Sequence, residues 1–141
     1  MPVRTSTATW RGSLKQGDGS VALGSGAFEG PYSFPSRFEE GPGSNPEELI
    51  GAALASCYAM FLSNLLATAG SVPTRVHTEA HVHLGHDDNG PAVTKIALVC
   101  RAEVPGVSDE EFAEHAQAAK AGCPISKALA AVPIELDASL A

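Results

Sequence analysis

A chain of 141 residues with 44% apolar and 18% charged residues is long enough to bury a core and too apolar for disorder. Its net charge is −7, and its nine Lys and Arg are scattered from Arg4 to Lys127. That excludes the clustered basic surface that nucleic acid or an anionic membrane would need.

Residues 3–14 and 19–24 read as two strands, with Gln16-Gly17-Asp18-Gly19 as the turn between them. A third short strand is expected over Gly26–Glu29. Gly30 to Ser44 then reads as a long Gly- and Pro-rich loop holding Tyr32, Phe34, Arg37 and Phe38. Loops of that length are often functional.

A helix follows. Asn45 can cap it, Pro46 suits the first helical position and Glu48 completes a capping box. Gly70 and Pro73 stop it after about Ala69. Leu49 to Val72 carries no charge and is long enough for a bilayer. Its Ala, Gly and Ser content and Asn64 make it less apolar than most spanning helices. It is therefore read as the centre of a soluble core, with no membrane partner.

Residues 74–84 alternate, with Val76, Thr78, Ala80, Val82 and Leu84 on one face of a half-buried strand. Asp88-Asn89-Gly90 turns the chain, and 92–104 returns with Ile96, Leu98, Cys100 and Ala102 inward. A second helix starts at Ser108, with Glu111 closing its capping box and Val107 stapled onto Phe112, and stops at Gly122. Cys123-Pro124 opens a short helix, and 133–140 forms a last strand with Ile134, Leu136, Ala138 and Leu140 inward. This order predicts an α+β fold with a mainly antiparallel sheet, in one domain over residues 1–141.

The three cysteines differ in setting. Cys57, within Leu54-Ala-Ser-Cys-Tyr-Ala-Met, reads by position alone as a small buried hydrophobe. Cys123 caps a short helix, where free N–H groups stabilise a thiolate. Cys100 reads as core. An odd cysteine count and no apolar secretory stretch after Met1-Pro-Val-Arg-Thr-Ser suggest free or catalytic thiols in a reducing, cytoplasmic compartment. His77, His81 and His83 share a strand face, with His86 and Asp87 at its turn. Two imidazoles at i, i+2 can chelate zinc or copper, but a solvated strand face is the simpler reading.

Gly43-Ser-Asn-Pro-Glu-Glu-Leu-Ile-Gly-Ala-Ala-Leu-Ala-Ser-Cys57, Lys120-Ala-Gly-Cys123-Pro and Tyr32-Ser-Phe-Pro-Ser-Arg37-Phe-Glu resemble the osmotically inducible protein C and organic hydroperoxide resistance (OsmC/Ohr) family. The resemblance runs from Trp10 to the last strand. The arginine within Ser-Arg-Phe-Glu places it nearer the OsmC branch. It implies an OsmC-like fold, with mainly antiparallel sheets around a long central helix, in an intertwined homodimer. It also implies a thiol peroxidase that uses no cofactor, neither metal nor flavin. By that resemblance Cys57 attacks the peroxide, Cys123 resolves, Arg37 activates and Glu47 orients the arginine, while Cys100 matches nothing functional. A dithiol reductant is implied, a lipoylated protein being a good choice.

The chemistry needs these residue types. A thiolate attacking a peroxide oxygen becomes a sulfenic acid, and a second thiol condenses with it before over-oxidation. Lowering a thiol pKa from ~8.5 to ~5.5 raises its thiolate fraction at pH 7 by about 30-fold. Intrinsic nucleophilicity falls by about 20-fold over the same shift, if the slope for thiol exchange carries over. The two nearly cancel, so Arg37 is better explained by charge developing on the leaving oxygen.

Ten helical residues rise about 15 Å, so Glu47 cannot reach Cys57 along its own straight helix. If Glu47 serves Cys57, it must come from a second copy, most simply across a two-fold axis. Leu54, Tyr58, Met60 and Phe61, with Tyr32, Phe34 and Phe38, predict an apolar pocket that favours alkyl or lipid hydroperoxides. For Leu54 and Phe61 plain core packing is the better reading. The competing class is a non-enzymatic ligand- or metal-binding protein of the same fold, marked by shielded, unreactive thiols.

Overall fold

A computed structural model describes residues 1–141. The elements in order are β1 (Ser6–Arg11), β2 (Asp18–Leu23), β3 (Glu29–Tyr32), α1 (Phe34–Phe38), α2 (Pro46–Thr68), β4 (Arg75–Asp87), β5 (Gly90–Glu103), α3 (Asp109–Gly122), α4 (Pro124–Ala128) and β6 (Ile134–Leu140). They form two compact units, Met1–Leu49 and Ile50–Ala141, each with one three-stranded sheet. The class is α+β, as expected.

In the first unit, β1 and β3 flank β2 in an antiparallel sheet. The third strand lies three residues later than expected. Gly26 takes a positive φ of 80° in the turn, and pairing runs from Ala22↔Glu29 to Gly19↔Tyr32. Pro31 is tolerated because β3 is an edge strand. The expected long loop is also shorter, since it contains β3 and α1. Ser33 caps α1, and Pro35 suits its first turn. The expected turn at Gln16–Gly19 moves back to residues 12–17, where Gly12 has φ +94° and the Gly17 N–H donates to Ser13 O.

In the second unit, β4 and β5 pair antiparallel along most of their length, and β6 joins β5 in parallel from Ile96↔Ile134 to Ala102↔Leu140. The arrangement is mainly antiparallel, as expected, and this is its one parallel pairing between strands. The crossover through α3 and α4 returns the chain in the same direction, as a parallel partner requires. Leu54, Tyr58, Leu62 and Leu66 of α2 are fully buried and share a core with Ile96, Leu98, Cys100, Phe112, Ala116 and Ala119. Each such leucine contributes roughly 1.5–3 kcal/mol. Gly51 packs α2 against β4, where an added Cβ would make ordinary contact with Val82 Cγ2 at 3.4 Å.

The opposite face of α2 (Ala52, Ser56, Met60, Asn64, Ala67) is exposed. By length and mean hydropathy (1.7) α2 could cross a membrane, and 28% of its most apolar stretch is buried within this chain. Gly70, with φ +97°, ends it where the sequence predicts.

Candidate active site

In the first unit the chain brings an arginine onto a glutamate. Ser33 and Ser36 form a reciprocal capping box, with N–H to Oγ distances of 3.2 and 2.9 Å. The Ser36 hydroxyl also donates to Ser44 O (2.7 Å), and Asn45 Nδ2 donates to Ser36 O (3.1 Å). Asn45 Oδ1 meanwhile accepts from the Glu48 N–H at 2.8 Å. One asparagine thus caps α2 and ties its start to α1. Arg37, in α1, then reaches Glu47 in the first turn of α2. Arg37 Nε donates to Oε1 and Oε2 (3.1 and 3.3 Å), and Nη2 donates to Oε1 (2.8 Å).

The Glu47 side chain is 10% exposed, against 37% for Arg37. Arg37 also lies over Phe38, with Cζ 5.3 Å from the ring centroid. It is the one charged residue in the wall of an open cavity of about 380 Å³, otherwise lined mainly by Trp10, Leu14, Tyr32, Phe34 and Phe38. An apolar pocket with one convergent polar group is the usual form of a small-molecule site. Of the residues expected to form such a pocket, Tyr32, Phe34 and Phe38 do so. Leu54 and Tyr58 do not, because they are core: the Tyr58 hydroxyl donates to Ala116 O at 3.0 Å. Phe61 packs against that core and Met60 is 75% exposed.

In the second unit the chain brings together two of its three free cysteines. Cys57, on α2, is partly buried, and Cys123, between α3 and α4, is fully buried. Cys57 packs against the core that holds Cys123, and each thiol influences the other's titration, although 66 positions separate them. Cys123 caps α4 as expected: its Sγ accepts from the N–H and the hydroxyl of Ser126, both at 3.4 Å. The Ile125 N–H favours the thiolate form of both cysteines.

Burial pushes the Cys57 thiol up, and neighbouring Cys123 adds to this. Burial also pushes Cys123 up, but its hydrogen bonds, those from Ser126 foremost, outweigh it and hold the thiol below its ordinary range. Negative charge on the pair therefore rests more easily on Cys123. Cys100 lies in the core and is pushed up by burial.

Trp10, Leu14 and Ser126 were not anticipated. Ser126 had a signal: it stands three residues after the cysteine cap, where a helix presents N–H groups to its cap. His77 and His81 are exposed on β4 and approach Glu79 at 3.6 and 3.2 Å. No group of three His, Cys, Asp or Glu side chains is close enough to hold a metal.

A family model described as OsmC-like protein matches residues 39–137, which include Glu47, Cys57 and Cys123. The chain is 48% identical over 134 residues to Peroxiredoxin OsmC of Escherichia coli (strain K12), covering 94% of this chain and 93% of that protein. Among solved structures it is similar to the organic hydroperoxide resistance protein OhrB of Bacillus subtilis, with TM-score 0.74 and 23% identity over 97% of this chain and 98% of that one. An organic hydroperoxide resistance protein from Elizabethkingia anophelis gives TM-score 0.77 and 24% identity over 99% of each chain. At such identities the solved structures speak to the fold, the same α+β arrangement of two small sheets and a long helix.

Proposed function

The chain belongs to the OsmC-like family, on its OsmC branch, and from that premise we propose that it is a thiol peroxidase reducing organic hydroperoxides, with Cys57 attacking and Cys123 resolving. The single observation behind this proposal is the closeness of two free thiols that the fold brings together from distant positions, each influencing the other's titration. A sulfenic acid and its resolving thiol need that proximity.

The Cys57 thiolate attacks one peroxide oxygen. The O–O bond breaks, and the leaving alkoxide takes a proton to become the alcohol. Cys123 then attacks the sulfenic sulfur and displaces hydroxide, which leaves as water, and a dithiol, for which a lipoylated protein is our choice, reduces the disulfide. Cys57 is pushed up within its own unit, so a cation has two tasks: favouring its thiolate and stabilising the departing oxygen. Arg37 suits both, being fixed by Glu47 in an aromatic cavity. The apolar walls favour an organic over an inorganic peroxide.

We assign Arg37 and Glu47 to Cys57 of a second copy, in a homodimer. The helical rise of about 15 Å from Glu47 to Cys57 supports this. So does the uncovered face of α2 around Met60. Three free thiols suit a reducing, cytoplasmic location.

Mass spectrometry after one equivalent of cumene hydroperoxide tests the assignment. The intact mass should fall by two hydrogens, with Cys57 linked to Cys123. Cys57→Ser should not react, and Cys123→Ser should react once and then over-oxidise. A disulfide containing Cys100 would overturn it.

A further inference from the structure

Resting on that reading, we propose that the disulfide is reduced in one direction only: the incoming dithiol attacks Cys57 Sγ, and Cys123 leaves as a thiolate held by the Ser126 hydroxyl. The two sulfurs differ in access and in support. Cys123 is fully buried, whereas Cys57 is only partly so. Ser126, itself 6% exposed, directs its hydroxyl and its N–H at Cys123 Sγ, both at 3.4 Å. A buried serine hydroxyl spent on a sulfur stabilises charge there more than it would a neutral thiol.

In thiol–disulfide exchange the more accessible sulfur is attacked and the better-stabilised thiolate departs. Both preferences point the same way here. One thiolate of the dithiol forms a bond to Cys57 Sγ as the Cys57–Cys123 bond breaks, and the electron pair leaves on Cys123. The second thiolate of the dithiol then attacks its partner sulfur in the mixed disulfide and expels the Cys57 thiolate. The dithiol ends as its own disulfide, both protein sulfurs are reduced, and the two protons lost by the dithiol balance the two thiolates formed.

The experiment uses the full chain with its disulfide formed by diamide, so it does not depend on peroxide turnover. Brief treatment with the monothiol 2-mercaptoethanol, acid quenching and alkylation with N-ethylmaleimide would be followed by peptide mass mapping. The mercaptoethanol adduct should sit on Cys57 and the maleimide on Cys123. An adduct on Cys123, or equal amounts on both, would overturn the direction, and no variant is needed to see it.

The role of Ser126 is read from stopped-flow reduction by dithiothreitol. Ser126→Ala should slow reduction by about tenfold, the scale of one hydrogen bond to a charged group, and Ser126→Thr, which keeps the hydroxyl, should restore most of the rate. In a Cys57→Ser background, Ser126→Ala should also move the thiolate absorbance of Cys123 at 240 nm to higher pH. Unchanged reduction and an unmoved titration would remove Ser126 from the mechanism. Failure of an alkyl hydroperoxide to form the disulfide would count against the peroxidase proposal instead.

Discussion

Arg37 grips Glu47 through Nε and Nη2, at 3.1 and 2.8 Å from the same carboxylate oxygen, while Nη1 has no hydrogen-bond partner within the chain. Two-point contact fixes the plane of the guanidinium and leaves its outer edge free beside the aromatic cavity. A free donor edge in a fixed direction is what a departing oxygen requires.

Geometry as well as charge should therefore matter. Arg37→Lys keeps the charge but replaces the planar fork with a point donor. It should lower the second-order rate constant for cumene hydroperoxide by about 10–100-fold, and Arg37→Ala by about 10²–10³-fold. Stopped-flow measurement of Cys57 oxidation would show it, and a lysine variant as fast as the parent would reduce the arginine to a bare charge.

A site shared between two copies makes a prediction about mixing. Equimolar Cys57→Ser and Glu47→Ala chains, each inactive alone, should regain activity when unfolded and refolded together. Random pairing makes half the dimers mixed, each with one intact site, so about a quarter of parental activity should return. No recovery, with a fully active monomer by sedimentation, would sink the shared site.

The hydrogen bonds to Cys123 also affect stability. Its folded pKa lies below the ordinary 9.0. As pH rises from that depressed value towards 9.0, the unfolded chain holds the proton longer and the folded state gains stability. The contribution is complete above 9.0 and is lost as pH falls through the folded value. Urea unfolding under a phosphine reductant should show the parent gaining on Cys123→Ser over that interval. A pH-independent difference would mean that Ser126 does not favour the thiolate.

The core makes a plainer prediction. The Tyr58 hydroxyl is fully buried, stays protonated because burial raises its pKa, and donates to Ala116 O across 3.0 Å. Tyr58→Phe should cost roughly 1 kcal/mol, lowering Tm by about 2–4 °C for a chain of this size. Calorimetry would measure it. A loss no larger than experimental error would show that the bond stabilises little.

Features whose cause is local were legible along the chain. The alternation of β4 and β5, the Asn45 and Ser108 caps, the stop at Gly70 and the cysteine cap of α4 each depend on residues within one or two turns. Their signals are periodicity and capping, which need no distant partner. The motif pattern was also enough to indicate the family and to nominate Cys57, Cys123, Arg37 and Glu47 as candidate site residues.

The rest depends on long-range packing. Whether Gly26–Glu29 or Glu29–Tyr32 pairs with β2 depends on register, which cross-strand packing sets and composition does not. The parallel placement of β6 depends on where the α3–α4 crossover sets the chain down. Tyr58 and Tyr32 are both aromatic residues near candidate chemistry, yet one is core and the other lines a cavity. The contact between Cys57 and Cys123, and the Ser126 hydroxyl that distinguishes the two sulfurs, exist because α2 and the α3–α4 junction share one core. Hydrophobic burial brings such distant residues together without direction, so their meeting cannot be read along the chain.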